Sequence, residues 1–247
     1  MDLGLAGKAF LVTGASRGLG LAAATALAAE GASVVLAARD DEAVQAAARR
    51  LGAVGIAADL ADADAPQRLV GAAREAYGRL DGALISVGGP PAGAALGLSD
   101  EQWRSAFDTV FLGAVRLCRA VVEALPADGG SLALVLSTSV KAPIAGLAAS
   151  NGLRPGLGML AKTMADELGP RRIRVNGLLP GRVDTDRVRE LDGPDPAVRE
   201  QVASGIPLRR YGTPEEFGRV AAFVLSPAAS YLTGAMIPVD GGLTRAL

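Results

Sequence analysis

The stretch Thr13-Gly14-Ala15-Ser16-Arg17-Gly18-Leu19-Gly20 stands between an apolar run at 8–13 and an Ala-rich helical stretch reaching about residue 30. It restricts the chain more than any other feature. Glycines let a backbone leave a strand in a tight turn and enter a helix at once. They also let backbone N–H groups approach a pyrophosphate, whose charge meets the helix N-terminus. Read structurally, the same glycines would serve only the packing of helix on strand.

The rhythm set there continues. Runs at 33–38, 54–58, 83–87, 131–137, 173–178 and 235–239 read as strands. Between them lie helical stretches at 41–51, 62–77, 99–125 and 213–225, and another ending near Leu168 before Gly169-Pro170. Expected N-caps are Asp40 or Asp41, Asp62 or Asp64, and Ser99, the last with a capping box. Pro214 suits a first helical position. Apolar strands alternating with helices imply a parallel sheet covered on both faces. The expected architecture is α/β: a single-domain, Rossmann-type, doubly wound sheet over 1–247, with ligands at the carboxyl ends of the strands. One segment breaks the rhythm. Residues 182–211 are charged, carry Pro194, Pro196 and Pro207, and read as a long loop forming a substrate lid. Pro155 is tolerated only in a first turn or at a kink, so its helix is expected to start near Asn151 or to bend there.

Composition narrows the chemistry. The 247 residues include no histidine, one cysteine and three tyrosines. This excludes a Ser-His-Asp or Cys-His site, a His-ligated metal and an intramolecular disulfide, and no metal site is expected. A net charge of −1 gives no electrostatic case for nucleic acid or an anionic membrane. The apolar runs are too short to span a bilayer, and the start has no basic region followed by a long apolar one. A cytoplasmic location is the default expectation.

The Gly-rich spacing, TGxxxGxG, resembles that of the short-chain dehydrogenase/reductase family. Further segments match in order along the whole chain. They are Asp59-Leu60, Arg174-Val175-Asn176, Leu179-Pro180-Gly181 with Thr185, 207–216 (PLRRYGTPEE), Thr233-Gly234 and Val239-Asp240-Gly241-Gly242. The resemblance extends to 3-oxoacyl-acyl-carrier-protein reductases. It implies an oxidoreductase acting on a small carbonyl or alcohol, and a homo-oligomer, dimer or tetramer. It also implies a nicotinamide cofactor held by Gly14, Ser16, Arg17, Gly18, Leu19, Gly20, Asp59, Leu60, Ser86, Gly88, Arg154, Pro180, Gly181, Val183 and Thr185. The end of the second strand carries Arg39 instead of the carboxylate that usually grips a free ribose 2′-hydroxyl. Asp40, one residue on, reads better as a helix cap. Arg39 and Arg17 can bracket a 2′-phosphate by charge-assisted hydrogen bonds, so the expected cofactor is NADP(H). The alternative is two solvated arginines.

The family's catalytic set is Asn, Ser, Tyr and Lys. By register with Gly156-Leu157, Lys162 and Arg174-Val175-Asn176, the Lys position falls on Arg154 and the Tyr position on Ser150. The Ser position falls on Ser137 and the Asn position on Val110. Only Ser137 conforms. A serine hydroxyl is a weak acid and an arginine does not shuttle protons near neutral pH. Lys141, on the loop after the fifth strand, is a substitute proton donor or an anion ligand, or else a solvated surface lysine. Tyr77, Tyr211 and Tyr231 fall elsewhere, and Cys118 reads as packing. Two functions stay open. One is a reductase with an altered catalytic set. The other is an inactive, reductase-like cofactor-binding or regulatory protein.

Overall fold

The computed structural model describes residues 2–246. Seven strands form one sheet in the order β3-β2-β1-β4-β5-β6-β7, and all of its pairings are parallel. The strands are β1 (Ala9–Thr13), β2 (Ser33–Ala38), β3 (Val54–Ala57), β4 (Gly82–Ser86), β5 (Gly130–Val135), β6 (Ile173–Pro180) and β7 (Met236–Val239). Each parallel pairing needs a crossover, and helices supply them. Those before the fifth strand are α1 (Gly18–Ala29), α2 (Asp41–Leu51), α3 (Ala65–Tyr77), α4 (Asp100–Ala106) and α5 (Gly113–Ala124). They are followed by α6 (Ala148–Leu168), α7 (Asp186–Asp192), α8 (Pro196–Gly205) and α9 (Pro214–Leu225).

Both faces of the sheet are buried, which is why the strands read as unbroken apolar runs. Successive side chains still alternate between faces. Phe10, Val12, Val34 and Leu36 pack with Ala23 and Leu27 of α1 and with Phe217 and Ala221 of α9. Leu11, Val35 and Ile85 pack with Leu69 of α3, Leu117 of α5 and Leu157 of α6. Small residues let the layers approach. A Cβ at Gly218 of α9 would lie 2.5 Å from the Ala22 carbonyl oxygen of α1.

Several boundaries differ from those the sequence suggests. Helix α3 starts at Ala65, β5 ends at Val135 and β6 reaches Pro180. Ser99 caps as expected, with Gln102 closing the capping box. The helix it opens passes through a π-helical segment at Phe107–Leu112 before becoming α5. Helix α6 begins at Ala148, ahead of Asn151, and Pro155 lies inside it. The earlier start has a local cause. The Asn151 side chain accepts from the Ile144 N–H at 3.0 Å and donates to its carbonyl at 2.8 Å. The Ala148 N–H donates to Gly93 at 3.2 Å, so the entry turn is held before the proline is reached.

Region 182–211, expected as a loop, contains α7 and α8. Several of its polar residues hold the region together. Thr185 and Asp195 are N-caps, and Pro196 stands at a first helical turn, where its missing N–H costs nothing. Asp192, nearly buried, pairs with Arg182 at 3.0 Å and accepts from the Tyr211 hydroxyl at 2.7 Å.

At the opposite end of the sheet, Asp81 ties β1 to β4. Its buried carboxylate accepts from the Ala9 N–H at 2.9 Å and from Arg79 at 2.8 and 2.7 Å, with Lys8 at 3.5 Å. Burial alone would raise its pKa. The Arg79 and Ala9 hydrogen bonds and the Lys8 charge outweigh it and hold the carboxyl below its usual value. A depressed folded pKa gives stability that is present above the unfolded value, about 3.9, and is lost as pH falls through the folded one. Asp81→Asn should therefore cost roughly 1–3 kcal/mol at pH 7. In urea unfolding, the gap to wild type should close below about pH 4.

Candidate functional site

The carboxyl end of β1 lies between β2 and β4, where the direction of winding reverses and ligands of such sheets bind. Thr13 pins this point. Its hydroxyl donates to the Ser86 carbonyl at 2.9 Å and accepts from the Ser86 N–H at 2.8 Å. Gly14 follows with φ 61°, and a Cβ there would sit 3.1 Å from the Ser86 carbonyl oxygen. A Cβ at Gly20 would lie 2.3 Å from the Gly14 carbonyl oxygen, so only hydrogen fits. Helix α1 begins at Gly18 with no side-chain cap on Arg17 and no acidic residue in its first turn. Its leading N–H groups and positive dipole end are thus left for an external anion.

The other cofactor candidates gather at neighbouring strand ends. Arg17 is exposed and only 3.7 Å from the exposed Asp186, a pair of little energetic weight. Ser16 and Leu19 are half-buried beside it. Arg39 is exposed directly after β2, whereas the Asp40 side chain is spent accepting the Ala43 N–H at 3.0 Å as the cap of α2. Asp59 and Leu60 follow β3, and Asp59 accepts from the Ala61 N–H at 3.0 Å. Gly88, with φ 75°, lies in the turn after β4. Pro180 ends β6, and Gly181 follows it against Asp240. Val183 is buried and pairs with Gly212. Thr185 caps α7, and its methyl group lies 3.5 Å from a Cβ built on Gly18. The turns after β1 and β6 therefore face each other. An uncapped helix start, a side-chain-free cradle and two exposed arginines fit a dinucleotide carrying a 2′-phosphate.

The second part of the site lies around the first turns of α6. Ser150 is buried, with its Oγ 3.2 Å from the Oγ of Ser139, which is also buried. Ser137 instead accepts the Ser139 N–H at 3.0 Å and caps the short 3-10 turn Thr138–Val140. Ser139, which meets Ser150, joins Ser137 as a candidate that the sequence did not single out. The doubled serine in Ser137-Thr138-Ser139 was the available signal.

Arg154 follows Ser150 by one turn and is 7% exposed. Its Nη1 donates to the Val135 and Leu136 carbonyls at 2.8 Å each, and its Nη2 donates to Gly88 at 2.6 Å. Three of the five guanidinium N–H groups are thus committed to backbone, and Nε and one Nη2 hydrogen remain for a ligand. Burial, reinforced by the Arg187 charge, lowers its pKa to about 10, so it stays cationic at neutral pH. Among the described residues no carboxylate pairs with it.

Other residues frame this pair. The sole tryptophan, Trp103, packs on α6, its ring 3.4 Å from a Cβ built on Gly152. Val110 is buried in the π-helical segment. Lys141 is exposed and ends the 3-10 turn that carries Ser139. Arg187 of α7, a residue the sequence did not single out, donates from Nη2 to the Pro90 carbonyl at 3.0 Å. It was hidden because its helix read as loop.

No tyrosine reaches this place. The Tyr77 hydroxyl donates to Val34 at 3.0 Å, and Tyr231 is fully exposed. Tyr211 lies under Arg199 at 4.4 Å, and burial and the Asp192 carboxylate push its pKa up to about 12. Cys118 is buried in α5, and burial pushes its thiol up to about 12. Among the described residues no cluster of carboxylates and cysteine could hold a metal, and no helix is long and apolar enough to cross a membrane.

Known proteins share both sequence and architecture. A family model described as enoyl-(acyl carrier protein) reductase matches residues 14–244. L-Rhamnose 1-dehydrogenase (NAD(P)(+)) of Azotobacter vinelandii is 34% identical over 96% of this chain and 96% of its own. The 3-oxoacyl-[acyl-carrier-protein] reductase MabA of Mycobacterium bovis is 32% identical over 96% of this chain and 92% of its own. The crystal structure of L-sorbose reductase from Gluconobacter frateurii, complexed with NADPH and L-sorbose, superposes with a TM-score of 0.93 at 31% identity. That match covers 100% of both chains.

The Arg154 geometry makes a stability claim of its own. Arg154→Met leaves the Val135, Leu136 and Gly88 carbonyls without their shared donor and should cost about 2–4 kcal/mol in denaturant unfolding. Arg154→Lys, which keeps the charge but not the fork, should cost less but still measurably. A loss below about 0.5 kcal/mol for Met would mean that the guanidinium is not what joins these strand ends.

Proposed function

Because the chain belongs to the short-chain dehydrogenase/reductase family, we propose that it is an NADP(H)-dependent oxidoreductase interconverting a small carbonyl and its alcohol. In this reading Ser150 and Arg154 stand where the family has Tyr and Lys. The observation that carries it is the uncapped start of α1 beside exposed Arg17 and Arg39, with Asp40 occupied as a helix cap. The NADPH complex of a reductase with the same architecture supports it.

The turn from Gly14 to Gly20, with Ser16 and Leu19, would hold the pyrophosphate. Arg17 and Arg39 would hold the 2′-phosphate. Asp59 and Leu60 would border the adenine, with Ser86 and Gly88 beside the adjoining ribose. Pro180, Gly181, Val183 and Thr185 would flank the nicotinamide. The bound cofactor supplies or takes the hydride. The chain's own groups position the reacting oxygen. The Ser139 and Ser150 hydroxyls, 3.2 Å apart, can both hydrogen-bond to one substrate oxygen, with Ser137 fixing the turn that carries Ser139. The buried Arg154 charge favours negative charge developing on that oxygen, where low dielectric strengthens its field. With a pKa near 10 it releases no proton at neutral pH, so the proton comes from water or from Lys141 at the solvent edge. Losing a phenolic acid costs roughly 10²–10⁴-fold, so slow turnover is expected. Residues 182–211 act as the substrate lid. The protein works as a single-domain, cytoplasmic homo-oligomer, a dimer or tetramer.

A second reading is a cofactor-binding protein without turnover. It is favoured by the commitment of Arg154 to backbone carbonyls and by the distance of all three tyrosines from the site. Fluorescence titration separates the outcomes. NADPH should bind more tightly than NADH, and Arg39→Ala should weaken NADPH roughly tenfold to hundredfold with little change for NADH. No binding of either cofactor would sink both readings. Tight binding without turnover on ketones and 3-oxoacyl thioesters would select the second. Lys141→Ala with unchanged kcat would remove Lys141 as the proton donor.

A further inference from the structure

Two guanidinium groups converge on one short loop. Arg154, from α6, donates to the Gly88 carbonyl at 2.6 Å. Arg187, from the lid helix α7, donates to the Pro90 carbonyl at 3.0 Å. Between these contacts lies Gly89, where a Cβ would stand 2.9 Å from the Arg187 Nε. The two like charges oppose each other, since Arg187 disfavours the charged form of Arg154. Neither is neutralised on the loop, which holds only Val87, Gly88, Gly89, Pro90 and Pro91 between β4 and Ala92. Among the described residues the carboxylate that pairs with Arg187 is Glu190, 3.9 Å away along the same exposed helix, a pair of little weight. Arg154 has none.

Like charges held together with only one weak, exposed counter-ion between them are stabilised by a bound anion. The position of this pair decides which molecule could supply it. Arg154 is one helical turn from Ser150, whose hydroxyl meets Ser139. Arg187 reaches the loop after β4 from the lid, two residues beyond Thr185. An anion here would share one loop with Arg154, the residue one turn from the hydroxyl pair.

We propose that Arg187, backed by Arg154, makes this protein select an oxo acid: a carbonyl substrate whose carboxylate seats on Arg187 while its carbonyl oxygen lies at Ser139 and Ser150. The planar fork of an arginine matches a carboxylate in two parallel hydrogen bonds, which a neutral ester does not reproduce. Arg187 is then a specificity-determining residue on the lid, held against the β4 loop by its hydrogen bond to Pro90. The proposal rests on the oxidoreductase reading and adds the substrate class to it.

The test uses the full chain with NADPH and three pairs of probes: pyruvate, acetoacetate and levulinate, each against its methyl ester. For at least one pair, kcat/KM for the acid should exceed that for the ester by about tenfold or more, with the difference in KM. Calorimetric titration of the same acids into the NADP⁺ complex gives a readout independent of turnover, and one acid should bind where its ester does not. Arg187→Gln should bring the acid-to-ester ratio toward unity, and Arg187→Lys should retain part of it. Equal use of acid and ester in every pair, no calorimetric binding of any acid, or a preference that survives Arg187→Gln would overturn the proposal. A rise of about tenfold in the NADPH Kd in Arg187→Gln, with the acid preference intact, would assign Arg187 to the cofactor and overturn it too. Failure of NADPH itself to bind would strike the oxidoreductase reading instead.

Discussion

One guanidinium joins the carboxyl ends of β4 and β5. Arg154 reaches from α6 to the end of β5 and to Gly88 in the turn after β4, and the candidate site is assembled around that junction. Strand ends in a parallel sheet present carbonyl oxygens with no partner in the ladder, and a buried cation with planar donors satisfies several at once. The arrangement also holds a full positive charge beside the Ser139–Ser150 hydroxyls without any carboxylate to cancel it. Structure and electrostatics are therefore one feature here. The charge that would favour an oxyanion is the charge that keeps the two strand ends and the first turns of α6 together.

The opposite end of the sheet is tied by a different device. Asp81 joins β1 to β4 with an anion, where Arg154 joins β4 to β5 with a cation. The central strand β4 is thus gripped at both ends by groups of opposite sign. Thr13 adds a neutral clasp between β1 and β4 at the ligand end. These three side chains add end contacts to the backbone ladder that pairs β4 with β1 and β5.

Most of the architecture was legible in the sequence because its signals are short-range. Apolar runs such as Phe10-Leu11-Val12 and Val34-Val35-Leu36 mark strands buried on both faces. Gly14, Gly18 and Gly20 mark a turn that admits no side chain. Asp40 as a cap was readable from its place before an amphipathic run, and that placement carries the reasoning about Arg39. What escaped depended on contacts distant in sequence. Region 182–211 looked like loop because its charges and prolines resemble those of a loop, yet Arg182 and Tyr211 both pair with Asp192 and Pro196 sits at a helix start. The start of α6 was misplaced because Asn151 reaches back to Ile144, which no periodicity reveals. Ser139 was not singled out because spacing places a residue along the chain, whereas the 3-10 turn brings its hydroxyl to Ser150.

The packing of Trp103 against Gly152 has a practical side. The chain's one indole stands on the helical turn that separates Ser150 from Arg154, with no second tryptophan to blur its emission. Any event that shifts this turn, or brings an absorbing ring system near it, is reported by a single chromophore already in place. The protein carries its own optical gauge of its candidate site, and a spectral change there can be assigned to one location without an added label.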